Sequence, residues 1–360
     1  MFKRPACIAI TAFTIMATLT ARADKVALVA GGGDKPADAP ATEVKLVAPF
    51  GVDFDRAGQL FLVEMGGGER VRKVDAKGIL TTIAGTGQKG FAGDAGPAAQ
   101  AQFNGMHNLA VAPNGDIFVS DTWNSRVRKI DAKSGVITTV AGTGTKGFTG
   151  EGGPAVKADF GNIYCVSLDP QAENLLLADL DNRRIRAVNL KTGIARTIAG
   201  NGQRGTPEDG AEAAKSPLVD PRAVCADAKG TIYVLERGGH ALRAVTPDGR
   251  IRTVAGTGQK GLSGDGGEAR LATLNGPKHL CMDHDGSVLI ADTENHVIRR
   301  YSPGTEKITR VAGSGRKGTG GVGGPPLELE MSQPHGVTVH RDGTLFITDS
   351  GNHRVLKIAK

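Results

Sequence analysis

The tripeptide Val/Ile-Ala-Gly occurs six times, starting at Val29, Ile83, Val140, Ile198, Val254 and Val311, a spacing of about 57 residues. A chain that repeats with this period, in short apolar runs broken by Gly-rich turns, is built from units that cannot bury both faces alone. Such units must stack on their neighbours.

The second unit shows the internal plan. Apolar segments 108–112 and 116–121 flank Pro113-Asn114-Gly115, and apolar runs joined through Asn-Gly form a hairpin. Segment 126–130, the turn 131–135 and segment 136–140 supply two more strands. Four antiparallel strands make one blade. The first strands start at Phe50, His107, Tyr164, Arg222, Lys278 and His335, so six blades are expected. The last unit lacks a fourth strand, whereas Lys25-Val26-Ala27-Leu28-Val29 matches one and precedes the first blade. The expected fold is an all-β, six-bladed β-propeller of four-stranded blades, its last blade completed by the N-terminal strand. Ring closure removes the free edges that an open sheet presents.

Residues 1–23 read as a secretory signal peptide: Lys3 and Arg4, an apolar stretch from Ala6 to Leu19, then Ala21-Arg22-Ala23 before Asp24. The expected mature chain is one propeller domain over residues 24–360, secreted or periplasmic, without a transmembrane segment. Loss of the leader takes the formal charge from +7 to +4, because Lys3, Arg4 and Arg22 go with it. Acids and bases are interspersed, so bulk charge does not point to nucleic acid. Three cysteines remain, Cys165, Cys225 and Cys281, all on first strands. An odd number excludes complete internal pairing, and buried free thiols are expected.

The segments Asp121-x-x-Asn124-x-Arg126-Val-Arg-Lys-Ile and Asp349-x-x-Asn352-x-Arg354-Val-Leu-Lys-Ile resemble NHL repeats, and the resemblance extends over nearly the whole mature chain. The connector from Ala141 to Pro154 resembles the loop of secreted bacterial NHL proteins and, more distantly, of teneurin propellers. The resemblance implies a propeller that binds a protein, peptide or glycan. RNA binding, known for some animal NHL proteins, conflicts with the leader.

Two recurring motifs read as scaffold. Gly85-x-Gly87-x-x-Gly90 has the spacing of a dinucleotide-binding turn, but no stretch long enough for the required helix follows it. Asp121, Asp179, Asp292 and Asp349 recur at the end of the second strand, where an Asp can accept bonds from turn amides and from the Arg two beyond the Asn.

Departures from the repeat carry the chemistry. The residues that open the first strands, Phe50, His107, Tyr164, Arg222, Lys278 and His335, are expected to converge on the axial opening. His supplies a base or metal ligand, Tyr and Arg stabilise an oxyanion, and Lys binds a carboxylate. Pro334-His335-Gly336-Val337 resembles the zinc-holding motifs of peptidylglycine amidating lyases, which use three histidines. Here only His107 and His335 fall in the set, and Arg222 stands where the third would be, repelling a cation.

Glu64 and Glu236 replace the recurring Asp in blades one and four, beside Gly66-Gly67-Gly68 and Gly238-Gly239. They read either as opposed carboxylates for acid/base work or for a divalent metal ion, as in gluconolactonase-like propellers, or as drift in loops that lost the Asn-x-Arg pattern. Lys35, Lys89, Lys146, Arg204, Lys260 and Lys317 place one cation per connector. They form either a basic ring for a polyanion or local pairs with Asp94, Glu151, Asp209 and Asp265, five residues on. Trp123, the sole tryptophan, reads as a stacking surface or as blade-edge packing. The leading expectation is a non-enzymatic binding scaffold. The alternative is a lyase or a lactone or ester hydrolase using His107 or His335 as base, Tyr164 and Arg222 for developing charge, and Glu64 or Glu236 for water or metal.

Overall fold

The computed structural model describes residues 24–359; the expected leader, residues 1–23, lies outside the described residues. Each 57-residue unit folds as a meander, shown in blade two by Met106–Val111, Ile117–Asp121, Arg126–Ile130 and Ile137–Ala141, each antiparallel to the next. The second strands Leu60–Glu64, Ile117–Asp121 and Val288–Asp292 are buried along their whole length. Their side chains alternate between the two faces of a sheet sandwiched by neighbouring blades, which is why the sequence runs apolar without interruption there.

Six such sheets surround the axis. The first strand, Lys25–Ala30, pairs antiparallel with the last, Arg354–Ala359, in the register Lys25↔Ala359 and Val26↔Ile358, and completes blade six. Two blades carry a fifth strand that the sequence did not announce: Ala39–Pro40 lies on Ile79–Ala84, and Ala211–Glu212 on Arg250–Ala255. The same contact shrinks elsewhere to the bridges Pro97↔Val136, Pro154↔Ile194 and Glu268↔Lys307. Each connector therefore runs along the outer strand of the next blade before turning inward, and it covers an edge that would otherwise be open.

The tripeptide's glycine has a steric cause. Gly142 sits at φ +93°, and a Cβ there would run into the carbonyl oxygen of Ser125 at the start of the third strand. Gly85 repeats this against Glu69. The Gly-x-Gly motif is thus an outer-strand terminus, and only the 3-10 turn Ala98–Gln100 follows it. Among the described residues no helix is long and apolar enough to cross a membrane.

Candidate functional site at the axial opening

First-strand starts, second-to-third-strand loops and the beginnings of the connectors lie on one face. There the six strand-opening residues meet around the axis. Phe50 stacks on His335 with ring centroids 4.1 Å apart and meets His107 edge-on at 5.2 Å. His107 packs against Tyr164 at 4.5 Å, and the Arg222 guanidinium lies 3.8 Å over the Tyr164 ring. Lys278 Nζ reaches His335 Nε2 at 3.3 Å and Glu294 Oε1 at 2.7 Å. Trp123 stands at the rim, 39% exposed, 5.9 Å from His107, with the Lys89 ammonium 5.7 Å from its ring.

Both ring histidines are held in one tautomer. His107 donates from Nδ1 to the Gly105 carbonyl at 2.8 Å, and His335 from Nδ1 to that of Gln333 at 2.7 Å. Each Nε2 therefore carries the lone pair, and that of His335 accepts from Lys278. Burial holds both rings well below the usual imidazole pKa, reinforced for His107 by Arg222 and for His335 by Lys278 and then Arg222. Burial also lowers Lys278, and it lowers Arg222 to about 10. Phe50 is wedged between the two histidines, so they do not face each other as a chelating pair. Among the described residues no three His, Cys, Asp or Glu side chains gather as a metal site.

One residue further along the first strands the axis is closed. Asn108 of blade two donates from Nδ2 to His279 Nε2 of blade five at 2.7 Å, and both residues are buried. Below this bridge a separate cavity of about 330 Å³ opens toward the opposite face, lined by Asp53, Ser167, Cys225, Cys281 and Met282 among others. Cys165, Cys225 and Cys281 are free thiols, and burial raises the pKa of all three.

Glu64 and Glu236 do not reach the opening. Both are fully buried. Glu64 accepts from the Val47 amide at 2.7 Å and from Arg72 Nε at 2.6 Å; Glu236 accepts from the Val219 amide at 2.6 Å and from Arg243 Nη2 at 2.6 Å. These are the duties of the recurring Asp, exemplified by Asp121, which accepts from the Asn104 amide at 2.7 Å and the Asn124 amide group at 2.8 Å. The amide belongs to the preceding connector rather than to the following turn. The arginine beside Asp121 is Arg128, at 3.4 Å, whereas Arg126 bonds the carbonyls of Asn124 and Thr143. Only in blade six does the Arg two beyond the Asn serve, with Arg354 Nε 2.7 Å from Asp349.

The connector acids do not pair with the connector cations. Asp94 binds Arg128 at 2.7 Å, Glu151 binds Arg186 at 3.4 Å, Asp209 binds Arg270 at 2.9 Å and Asp265 binds Arg299 at 2.9 Å. Lys35 pairs with Glu43 at 2.5 Å and Lys146 with Asp181 at 3.8 Å. Lys89, Arg204, Lys260 and Lys317 have no carboxylate within ion-pair distance among the described residues. Two positions after Lys89, Lys146 and Lys260 stand Phe91, Phe148 and Leu262, exposed by 42%, 37% and 40%. Phe91 and Phe148 rest on Arg126 and Arg184, at 3.8 and 3.7 Å, and turn their other side to solvent. Sequence reading passed over these three, although Lys-Gly-Phe/Leu recurs in the connectors.

Fold and site define a six-bladed β-propeller with a cationic, aromatic-walled axial opening. Residues 103–130 and 331–358, which hold the first three strands of blades two and six, match the NHL repeat. Over 285 residues the chain is 27% identical to Protein SUPPRESSOR OF QUENCHING 1, chloroplastic, of Arabidopsis thaliana, covering 76% of this chain and 26% of that one. Over 342 residues it is 26% identical to NHL repeat-containing protein 2 of Gallus gallus, covering 86% and 46%. The chain thus spans less than half the length of these curated relatives. Among solved structures it resembles an auxiliary nutrient binding protein from Bacteroides thetaiotaomicron, with a TM-score of 0.68 at 16% identity, covering 93% of this chain and 76% of that one.

Proposed function

We propose that the protein is a secreted or periplasmic binding propeller whose loop-rich face takes a peptide or a peptide segment of a protein. The observation that carries this reading is the repeated exposure of Phe91, Phe148 and Leu262 beside Lys89, Lys146 and Lys260, around an opening walled by Phe50, His107 and Tyr164. Aromatic and basic residues with one side in solvent are the groups enriched where proteins meet partners. A glycan would be gripped by stacked rings and a dense hydrogen-bonding rim, whereas this surface is dominated by apolar tips and point charges. Selection of displayed peptides on the wild-type protein, counter-selected on a Phe91→Ala, Phe148→Ala, Leu262→Ala variant, tests the reading. Enrichment on the wild type alone supports it; equal enrichment on both sinks it. N-terminal sequencing of the exported protein, expected to begin at Asp24, tests the location.

A second reading, catalysis in the same opening, is favoured by one observation. His107 Nδ1 is anchored on Gly105, which leaves a neutral Nε2 base beside Tyr164 and Arg222. Turnover of a lactone or ester that disappears in His107→Ala would establish it, and no turnover by the wild type would remove it.

A further inference from the structure

Among the described residues seven arginines are buried, and six of them face a carboxylate. Arg72, Arg128, Arg186, Arg243, Arg299 and Arg354 each have an acidic oxygen within 3.4 Å. The seventh is Arg222. It is 5% exposed, its Nε and Nη1 have no hydrogen-bond partner, and no carboxylate lies within ion-pair distance among the described residues. Asp220, the carboxylate whose charge acts on it, is held by Arg237 at 2.8 Å, and Glu294 at the opening is held by Lys278 at 2.7 Å. A buried guanidinium without a counter-ion is costly to keep. Tyr164 packs against it, with its ring centroid 3.8 Å from the guanidinium carbon, and holds it in the wall of the opening.

From this geometry we infer that Arg222 is the counter-ion of a peptide carboxylate that enters the axial opening end-on. The inference rests on the peptide-binding reading above. A planar carboxylate matches guanidinium donors better than a neutral amide does, and the charge-assisted bonds are the stronger kind. Phe50, His107 and Tyr164 supply walls for the atoms behind it. The Asn108 to His279 bridge closes the axis one residue below the ring, so a chain cannot thread through, and only a tip fits. Two tips of a peptide carry that chemistry: the chain-terminal carboxylate and an Asp or Glu side chain.

The test uses three random hexapeptide pools: free C-termini without Asp or Glu, amidated C-termini with Asp and Glu, and amidated C-termini without them. Binding is read from Trp123 fluorescence and by calorimetry on the wild type and on Arg222→Gln. The expected result is that at least one acid-bearing pool binds about tenfold or more tightly than the acid-free pool, and that Arg222→Gln abolishes the difference. Preference for the first or second pool tells which tip is held. Equal affinity for the acid-free pool, or discrimination that survives in Arg222→Gln, overturns the inference. If no pool binds, the peptide reading fails by itself, and thermal melts in sodium acetate against equimolar sodium chloride decide the clamp. An acetate-specific rise in the wild type that is missing in Arg222→Gln retains it, and no rise overturns it. Because Arg222 forms no internal bonds through these nitrogens, the variant should melt no lower than the wild type, so lost binding cannot be charged to misfolding.

Discussion

Asn108 and His279, from blades that face each other across the ring, meet at 2.7 Å on the propeller axis. Donor groups face both nitrogens of His279, Asn108 Nδ2 at Nε2 and the Val337 amide at Nδ1 from 3.3 Å, and the neutral ring, with one lone pair, accepts from only one of them. A second proton has no acceptor to face. Burial lowers the pKa to about 4, and Arg222 adds to the effect.

The pH dependence of stability follows from that value. The folded-state pKa lies below the ordinary 6.5, so this residue's contribution is present above the unfolded pKa and is lost as pH falls toward about 4. The gap corresponds to about 3 kcal/mol. Urea unfolding of wild type and His279→Gln between pH 7.5 and pH 4 should show their difference shift by about that amount, with the wild type losing more on acidification. A difference independent of pH would mean that the ring is not buried neutral.

Glu64→Gln and Glu236→Gln should each destabilise by about 3–5 kcal/mol, because Arg72 and Arg243 would be left buried without a counter-charge. Peptide affinity per folded molecule should stay unchanged. Thermal melts beside binding assays separate the two effects, and stable variants that bind poorly would return these acids to the site.

Gly142→Ala should cost about 3 kcal/mol, from a left-handed backbone imposed on alanine together with a clash against the Ser125 carbonyl. Gly152→Ala, at φ +73° with open space around it, bears only the backbone part. Chemical denaturation of the pair compares them; equal losses would show that close approach contributes nothing.

The intact propeller should unfold in one transition, and removal of residues 24–31 should abolish that cooperativity. The deletion uncovers the outer edge of blade six and exposes Ile358 and Leu356, the partners of Val26 and Leu28. Calorimetry checks this, and a truncated protein that melts sharply at the wild-type temperature would refute it.

The architecture was legible because its signals are local and repeated: the tripeptide period, the Asn-Gly hairpin and the unmatched strand at 25–29. Meeting of the six strand-opening residues followed from register alone. Direction and partnership were not legible. Glu64 and Glu236 looked like departures, yet each does the recurring Asp's work, with the arginine that corresponds to Arg128. The connector acids were set against the connector cations by proximity in sequence, whereas Asp94, Glu151 and Asp265 turn inward to Arg128, Arg186 and Arg299. Those arginines, with Arg72 and Arg243, occupy one position of the third strand in blades one to five, and that recurrence was the signal for buried ion pairs. Arg222 was visible as a residue type but not as an unpaired charge, since its isolation depends on where every other acid points.

The pairing of Lys25–Ala30 with Arg354–Ala359 also sets an order of events. Five sheets draw all their principal strands from contiguous sequence and can form as soon as that stretch is available. The sixth joins the two extremities of the domain, a contact with the largest loop to close. The ring behaves as a clasp: its first strand has no place to dock until the last has been made, so the axial opening acquires its six-sided geometry only at the final step of folding.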